Sequence, residues 1–425
     1  MSSTTTEHQS APDRARLSRW QAVPLAVGSV AGSGILFLPS AVYAEVGRNS
    51  LLVWALATVL CLPMLLMFRD MVRLYPTGDG IEAFISAGLG VALGRCVPIL
   101  FVALVVVGLP GGALVAGRYA MRALGAGPGV QIATAAGVLL AAVAVNAAGA
   151  RANTRAQRAS AAALVVMAVV LVCSAIPIAD GASPIAPQVE TLGLVVPGVL
   201  LAFWAFAGFE NLTFLSRQFR APDRDFLPVS VIALSIYGLL TVLLTAAIAV
   251  SVPAPAVDGI TGLLQLAEHL RPRQLVVAVV TAIAVGAMVL NAVSWIWGVS
   301  QLVVGASRSA ILPAALATTT GRGVPRRALG LLTVLFLVVG TVLAVFPALL
   351  VDALAATSAT FVVLYLLSIA SYVRLRGPTL QSVLNLLVGV VLTASLTESG
   401  WRSLYCIAVL AAALTVSLLQ GRRHR

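Results

Sequence analysis

An all-α, polytopic membrane fold follows from three features of this sequence. Charged residues make up 10% of the chain and hydrophobic ones 60%, whereas soluble domains carry roughly 25% charged residues. Apolar runs of about 20 residues, enough to cross a ~30 Å hydrocarbon core, recur along the whole length. Basic residues fall in the short connections between those runs, where topology signals belong. With a mean hydropathy of +1.02, too little polar sequence remains to cover a soluble enzyme.

Twelve runs are read, at approximately residues 20–43, 49–71, 97–122, 130–147, 158–179, 193–218, 227–251, 274–302, 329–347, 350–373, 379–396 and 401–420. Pro347 and Asp352 suit a tight turn between the ninth and tenth, and Gly377-Pro378 opens the eleventh. The polar residues 1–13 are expected to be disordered, and the first run is too long for a cleaved signal peptide. All 27 basic residues are arginine. With the N-terminus inside, Arg48, Arg118, Arg122, Arg271, Arg273 and Arg402 fall outside and the other 21 fall inside. That bias is expected of an even number of spans with both ends cytoplasmic. The net charge of +12 is thus accounted for by topology. Nucleic-acid binding would need a basic face on a soluble domain, and no stretch is long enough to form one.

The four cysteines are scattered through apolar runs and read as small packing residues. The three histidines lie in tails and a loop, so neither a metal site nor a histidine-based catalytic centre has its raw material. Residues 72–96 are too short and too polar to span and suit a cytoplasmic interfacial helix. In Ser216 to Pro228, Pro222 and Pro228 are expected to bound the turn into the seventh span.

Two runs are interrupted. The first carries Gly28-Ser29-Val30-Ala31-Gly32-Ser33-Gly34-Ile35 at its middle. Glycines there weaken the helix and let backbone N–H groups face a ligand with no Cβ between. The sixth reads Trp204-Ala205-Phe206-Ala207-Gly208-Phe209-Glu210-Asn211. An acid at a helix centre costs about 2.5–3.5 kcal/mol on insertion scales, so Glu210 is expected to face inward. Its carboxylate can accept free N–H groups where the helix breaks at Gly208 or contact substrate directly. Breaks in two runs five apart point to a five-plus-five inverted repeat with a midplane binding site. Helices 1–5 then occupy residues 20–180 and helices 6–10 residues 193–375, with helices 11–12 in 376–420, and 1–19 and 421–425 as cytoplasmic tails.

These residues resemble the amino acid–polyamine–organocation (APC) superfamily of transporters. Gly32-Ser33-Gly34-Ile35 followed by Pro39 is similar to its first-helix motif. Phe206-Ala207-Gly208-Phe209-Glu210, with Arg220-Ala221-Pro222-Asp223, is similar to its sixth helix and exit loop. Tyr75-Pro76-Thr77-Gly78-Asp79-Gly80, Val107-Gly108-Leu109-Pro110 and Gly400-Trp401-Arg402 most resemble the branch of bacterial exporters for methionine and branched-chain amino acids.

The resemblance implies a LeuT-like bundle with discontinuous helices 1 and 6 in the cell's inner membrane. It implies a neutral apolar L-amino acid as substrate, export by alternating access, and the lipid bilayer as the other partner; an importer or exchanger of other amino acids or amines in the superfamily, or a non-transporting sensor of the same fold, is the alternative. The substrate's carboxylate would meet the N–H groups of Gly32, Ser33 and Gly34. Its ammonium would meet carbonyls near Val30, Trp204 and Ala207, with Ile35 beside them. Phe206 and Trp295 would gate the site, and Gly208 and Glu210 would hold the helix break. The family's span-five lysine has no counterpart, since the chain has no lysine; Arg158 there reads as a topology residue. No cofactor is implied. Coupling to a proton stays open, without an identified carrier, and sodium, for which no hydroxyl-and-carbonyl cage can be assigned, is the weaker alternative. The side-chain pocket offers no acid other than Glu210, which argues against cationic substrates such as arginine or polyamines.

Overall fold

The computed structural model of the chain describes residues 17–30, 34–75, 80–149, 154–176, 189–206, 208–215, 219–321, 323–398 and 400–423. The apolar segments fold as helix because lipid offers backbone amides no water, so each segment must satisfy its own. In chain order the helices are α1 (Arg19–Val30), α2 (Gly34–Val46), α3 (Ser50–Leu74), α4 (Gly80–Leu89), α5 (Val91–Gly94) and α6 (Cys96–Ala123). They continue as α7 (Pro128–Ala147), α8 (Thr154–Ala175), α9 (Val195–Phe203), α10 (Phe209–Leu215), α11 (Pro222–Ser251) and α12 (Gly262–Glu268). The last are α13 (Arg273–Arg308), α14 (Arg326–Val345), α15 (Leu349–Arg376), α16 (Leu380–Glu398) and α17 (Ser403–Arg423). Among the described residues, ten helical stretches are long and apolar enough to cross a bilayer. No sheet forms there, and extended pairing is limited to one bridge between Leu17 and Phe219.

Ten of the twelve expected runs each match one long helix: α3, α6, α7, α8, α11 and α13 to α17. The sixth run is divided, into α9 and α10, and the first is described as α1 and α2, with residues 31–33 between them outside the described residues. One boundary is corrected. Pro222 and Pro228 do not bracket the entry to the seventh run; α11 begins at Pro222 and carries Pro228 inside it. Proline is preorganised for a first helical position, where its missing N–H would be unbonded anyway. Asp352 likewise lies in the first turn of α15 rather than in the turn before it. There it faces the positive helix end and accepts Arg402 Nε at 2.7 Å.

Burial separates centre from rim. The apolar windows of α15 and α6 are 72% and 67% buried, against 17% for the last helix. Val334, Leu337 and Val338 on α14 and Val383, Leu387 and Val390 on α16 stay exposed, an outer face suited to acyl chains. In the connection after α3, α4 buries Ile81, Phe84 and Ile85 and packs on α15. Beside it, buried Asp70 accepts Arg69 Nη2 at 2.7 Å and Tyr372 Oη at 2.8 Å. A buried carboxylate is tolerable only when so satisfied.

Candidate functional site

The first and sixth runs meet at the heart of the bundle. α2 packs on α9, and α1 packs on α10. The helices are therefore paired crosswise, which sets Gly34 beside the 3₁₀ turn that carries Ala205. Gly34, the first residue of α2, is the point of closest approach. A Cβ at this position would stand 3.1 Å from Leu38 Cδ1, 3.2 Å from Tyr237 Oη and 3.5 Å from Ala205 Cα. Glycine lets the backbones of the two runs come this near.

On the other run, α9 ends at Phe203 and a 3₁₀ turn covers Trp204–Phe206. Gly208 adopts φ 127°, a conformation that side chains oppose. Its N–H donates to Glu210 Oε2 at 2.9 Å, and Tyr365 Oη from α15 donates to the same oxygen at 2.6 Å. Thr213 Oγ1 donates to the Glu210 carbonyl at 2.6 Å. Glu210 is fully buried, and its Oε1 has no partner among the described residues. The carboxylate thus ties the turn after the break to a central helix.

Aromatic rings enclose the junction. Trp204 stands edge-on to Phe37 of α2 at 5.4 Å. Phe206 sits between Trp54 of α3 at 6.2 Å and Tyr237 of α11 at 5.7 Å. Phe203 meets Tyr365 at 5.6 Å, and Tyr365 stacks on Phe361. Such offset and edge-on pairs add roughly 0.5–1.5 kcal/mol each beyond their burial. Cys61, Met64, Leu65 and Phe68 of α3, with Phe203, Phe206, Phe209 and Tyr365, line a small apolar cavity beside the break.

Of the residues singled out in the sequence, Gly34, Ile35, Trp204, Phe206, Gly208 and Glu210 come together here. Val30 closes α1. Gly32, Ser33 and Ala207 lie outside the described residues. Trp295 of α13 is linked to the junction through Phe361, at 6.1 Å, and then Tyr365. Arg158 of α8 reaches back to α1, donating to the Gln21 carbonyl at 3.2 Å.

Three tyrosines and one tryptophan were not singled out. Tyr119 of α6 donates to the Leu36 carbonyl of α2, and Tyr365 holds Glu210. The Tyr237 hydroxyl and Trp54 Nε1 are buried with no hydrogen-bond partner among the described residues. A signal existed: a tyrosine inside an apolar run carries a hydroxyl that lipid cannot satisfy, so each had to face something polar inward.

Polar contacts seal both ends. At one, Arg122, closing α6, gives Glu268 of α12 two hydrogen bonds, at 2.8 and 3.0 Å. Asp258 stands 3.9 Å from Arg122, and Arg273 3.8 Å from Glu268. The hydrogen bond and charge of Arg122 hold the Glu268 carboxyl below the usual carboxylate range. Leu263, Leu264 and Leu266 bury α12, which packs on α2. At the other end, the Leu17 carbonyl accepts the Arg220 N–H at 3.0 Å, and Arg19 pairs with Asp225 at 3.1 Å. Arg73 donates to the Asp223 carbonyl at 3.0 Å.

Residues 17–416 match the family model described as amino acid permease. The chain belongs to the amino acid permease family. It is therefore a membrane transporter of the APC superfamily and not a catalytic enzyme. Among relatives of this permease, the L-methionine/branched-chain amino acid exporter YjeH of Escherichia coli (strain K12) is 25% identical over 220 residues. That match covers 52% of the permease and 52% of YjeH, so the chain matches about half the length of this relative.

Proposed function

We propose that this permease exports neutral, apolar L-amino acids of the methionine, leucine, isoleucine and valine type by alternating access. The observation that carries this is the crosswise meeting of α2 with α9 and α1 with α10 around Gly34. The start of α2 is a natural carboxylate site, because free N–H groups and the helix dipole both favour an anion there. Gly32, Ser33 and Gly34 would supply the amides. Carbonyls near Val30, at the end of α1, and near Trp204 and Ala207 would take the ammonium. The unpartnered Tyr237 hydroxyl, close to Gly34, is suited to donate to the same carboxylate. Ile35, Phe206 and Trp204 would surround an uncharged side chain, with Phe206 and Trp295 as gates and Gly208 and Glu210 holding the break.

In the same reading the bundle has twelve spans arranged as a LeuT-like five-plus-five inverted repeat, with its halves at 20–180 and 193–375, helices 11–12 in 376–420 and both tails cytoplasmic. Direction and side-chain class rest on the likeness to an exporter of methionine and branched-chain amino acids. Counterflow in proteoliposomes with a panel of labelled amino acids tests the reading. Uptake driven by trapped leucine or methionine, and not by arginine or glutamate, is the expected result. Counterflow by a cationic or acidic substrate alone would overturn it. Imposed proton and sodium gradients in the same vesicles identify the coupling ion, with a proton effect expected.

A further inference from the structure

The connection from α13 to α14 combines two features that the transport site does not use. Its flanks are basic: Arg308 ends α13, and Arg326 and Arg327 begin α14, all three exposed. Between them runs Ile311-Leu312-Pro313-Ala314-Ala315-Leu316-Ala317, seven residues without a polar side chain. Pro313, Ala314 and Ala315 of that segment are exposed, and Leu312 and Leu316 are half-buried.

The fold brings the two features onto one surface. α13 ends in a reversal in which the N–H groups of Ile311 and Leu312 both donate to the Ala306 carbonyl, at 2.7 and 3.2 Å. A 3₁₀ turn over Ala314–Ala317 follows and packs on both α13 and α14. Arg327 Nη1 donates to the Ala315 carbonyl at 3.3 Å, laying a guanidinium along the apolar turn. Gln420 of α17 donates to the Ile311 carbonyl at 3.0 Å, so the end of α17 is tied to the same connection. No acidic side chain offsets this charge within the sequence of the region, since residues 269–351 contain no Asp or Glu.

Topology signalling accounts for arginines at a helix end. It does not account for an exposed apolar turn held among them. Apolar side chains flanked by arginines, at the end of spanning helices, are what an anionic bilayer surface takes up: the turn enters the headgroup boundary and the guanidinium groups meet phosphates. We propose that the Ala314–Ala317 turn with Arg308, Arg326 and Arg327 forms a docking surface for anionic phospholipid, seated by the turn and held by the three arginines.

The full-length protein, purified and reconstituted in nanodiscs of equimolar phosphatidylglycerol and phosphatidylcholine, provides the test. After re-extraction into detergent, retained lipid is counted by native mass spectrometry. Wild type should retain phosphatidylglycerol in preference to phosphatidylcholine, and 0.5 M salt should weaken the preference. The triple variant R308Q/R326Q/R327Q should lose that preference by about tenfold or more, at a few-fold per arginine. R308K/R326K/R327K, which keeps the charge, should largely retain it. Equal retention of both lipids by wild type, or a preference that salt leaves unchanged, overturns the proposal without need of any variant. So does undiminished phosphatidylglycerol in the glutamine variant. Inorganic phosphate that displaces all bound phosphatidylglycerol at low millimolar concentration would identify a soluble-anion site instead, and would equally overturn it.

Discussion

Replacing Tyr237 by phenylalanine should move stability and binding in opposite directions. The hydroxyl is fully buried, lacks a partner among the described residues and stands 3.2 Å from where a Cβ on Gly34 would be. An unsatisfied buried polar group costs about 1–3 kcal/mol. Phenylalanine keeps the ring, and with it the edge-on contact to Phe206 at 5.7 Å, so the packing term is nearly unchanged. Y237F should therefore leave the substrate-free protein as stable as wild type, or up to about 2 kcal/mol more stable. If the hydroxyl donates to the substrate's carboxylate, its removal forfeits about 1.5–3 kcal/mol of charge-assisted bonding. The dissociation constant for leucine should then rise roughly 10- to 150-fold. Thermal unfolding in detergent, with and without leucine, reads both quantities in one titration. A variant less stable than wild type without ligand, binding leucine equally well, would show the hydroxyl to be structural and refute the reasoning.

Three further outcomes are expected. Gly34→Ala places a methyl 3.1–3.2 Å from Leu38 Cδ1 and Tyr237 Oη, a gap those atoms can open by a few tenths of an ångström; counterflow should fall several-fold. Gly34→Val should abolish it while membrane insertion stays normal, and full leucine transport by the valine variant would remove Gly34 from the site. Glu210→Gln keeps an oxygen for the Gly208 N–H and the Tyr365 hydroxyl but loses the charge, so stopped-flow transport should slow more than equilibrium binding weakens. A large loss of affinity at normal turnover would instead point to direct substrate contact. The Arg122–Glu268 clasp should depend on pH with a definite sign. Arg122 depresses the folded-state pKa of Glu268, so the contribution is complete above the ordinary carboxylate value and is lost as pH falls through the depressed one. Melting temperature should hold steady from pH 7 to about 5 and drop below it, more steeply in wild type than in E268Q, which should be about 1 kcal/mol less stable at neutral pH. Asp258, held down by backbone N–H bonds from Ile260 and Thr261 against its burial, titrates in the same window, so E268Q should retain a shallow slope.

Run length, glycine clusters and arginine placement were enough to locate the long helices and to place the break at Gly208 in the sixth run, because each reports a cost local to its own segment. Lipid penalises an unbonded amide wherever it occurs, so Gly208 betrays itself without tertiary information. Partners across the bundle are a different matter. That Tyr365 finds Glu210, 155 positions earlier, depends on how α15 is rotated against α10, and nothing in either segment fixes that angle. The same holds for Tyr119 on Leu36 and for Trp295, which reaches the junction only by way of Phe361. Pro228 misled for a local reason: it reads as a boundary, yet a helix already started at Pro222 can absorb one missing N–H.

The crosswise pairing of half-helices also bears on what limits turnover. In an unbroken bundle, exposing the midplane to one side and then the other would require melting a helical turn in each cycle. Here hydrogen-bond continuity is already interrupted in the sixth run, at Gly208, at a cost met once, during folding. Under the proposed alternating access, α2 with α9 and α1 with α10 would move as packed pairs about the close approach of Gly34 to Ala205. The barrier to switching would reside in the polar clasps at the two ends, Arg122 with Glu268 and Arg19 with Asp225, so the rate of transport becomes adjustable at sites that never touch the substrate.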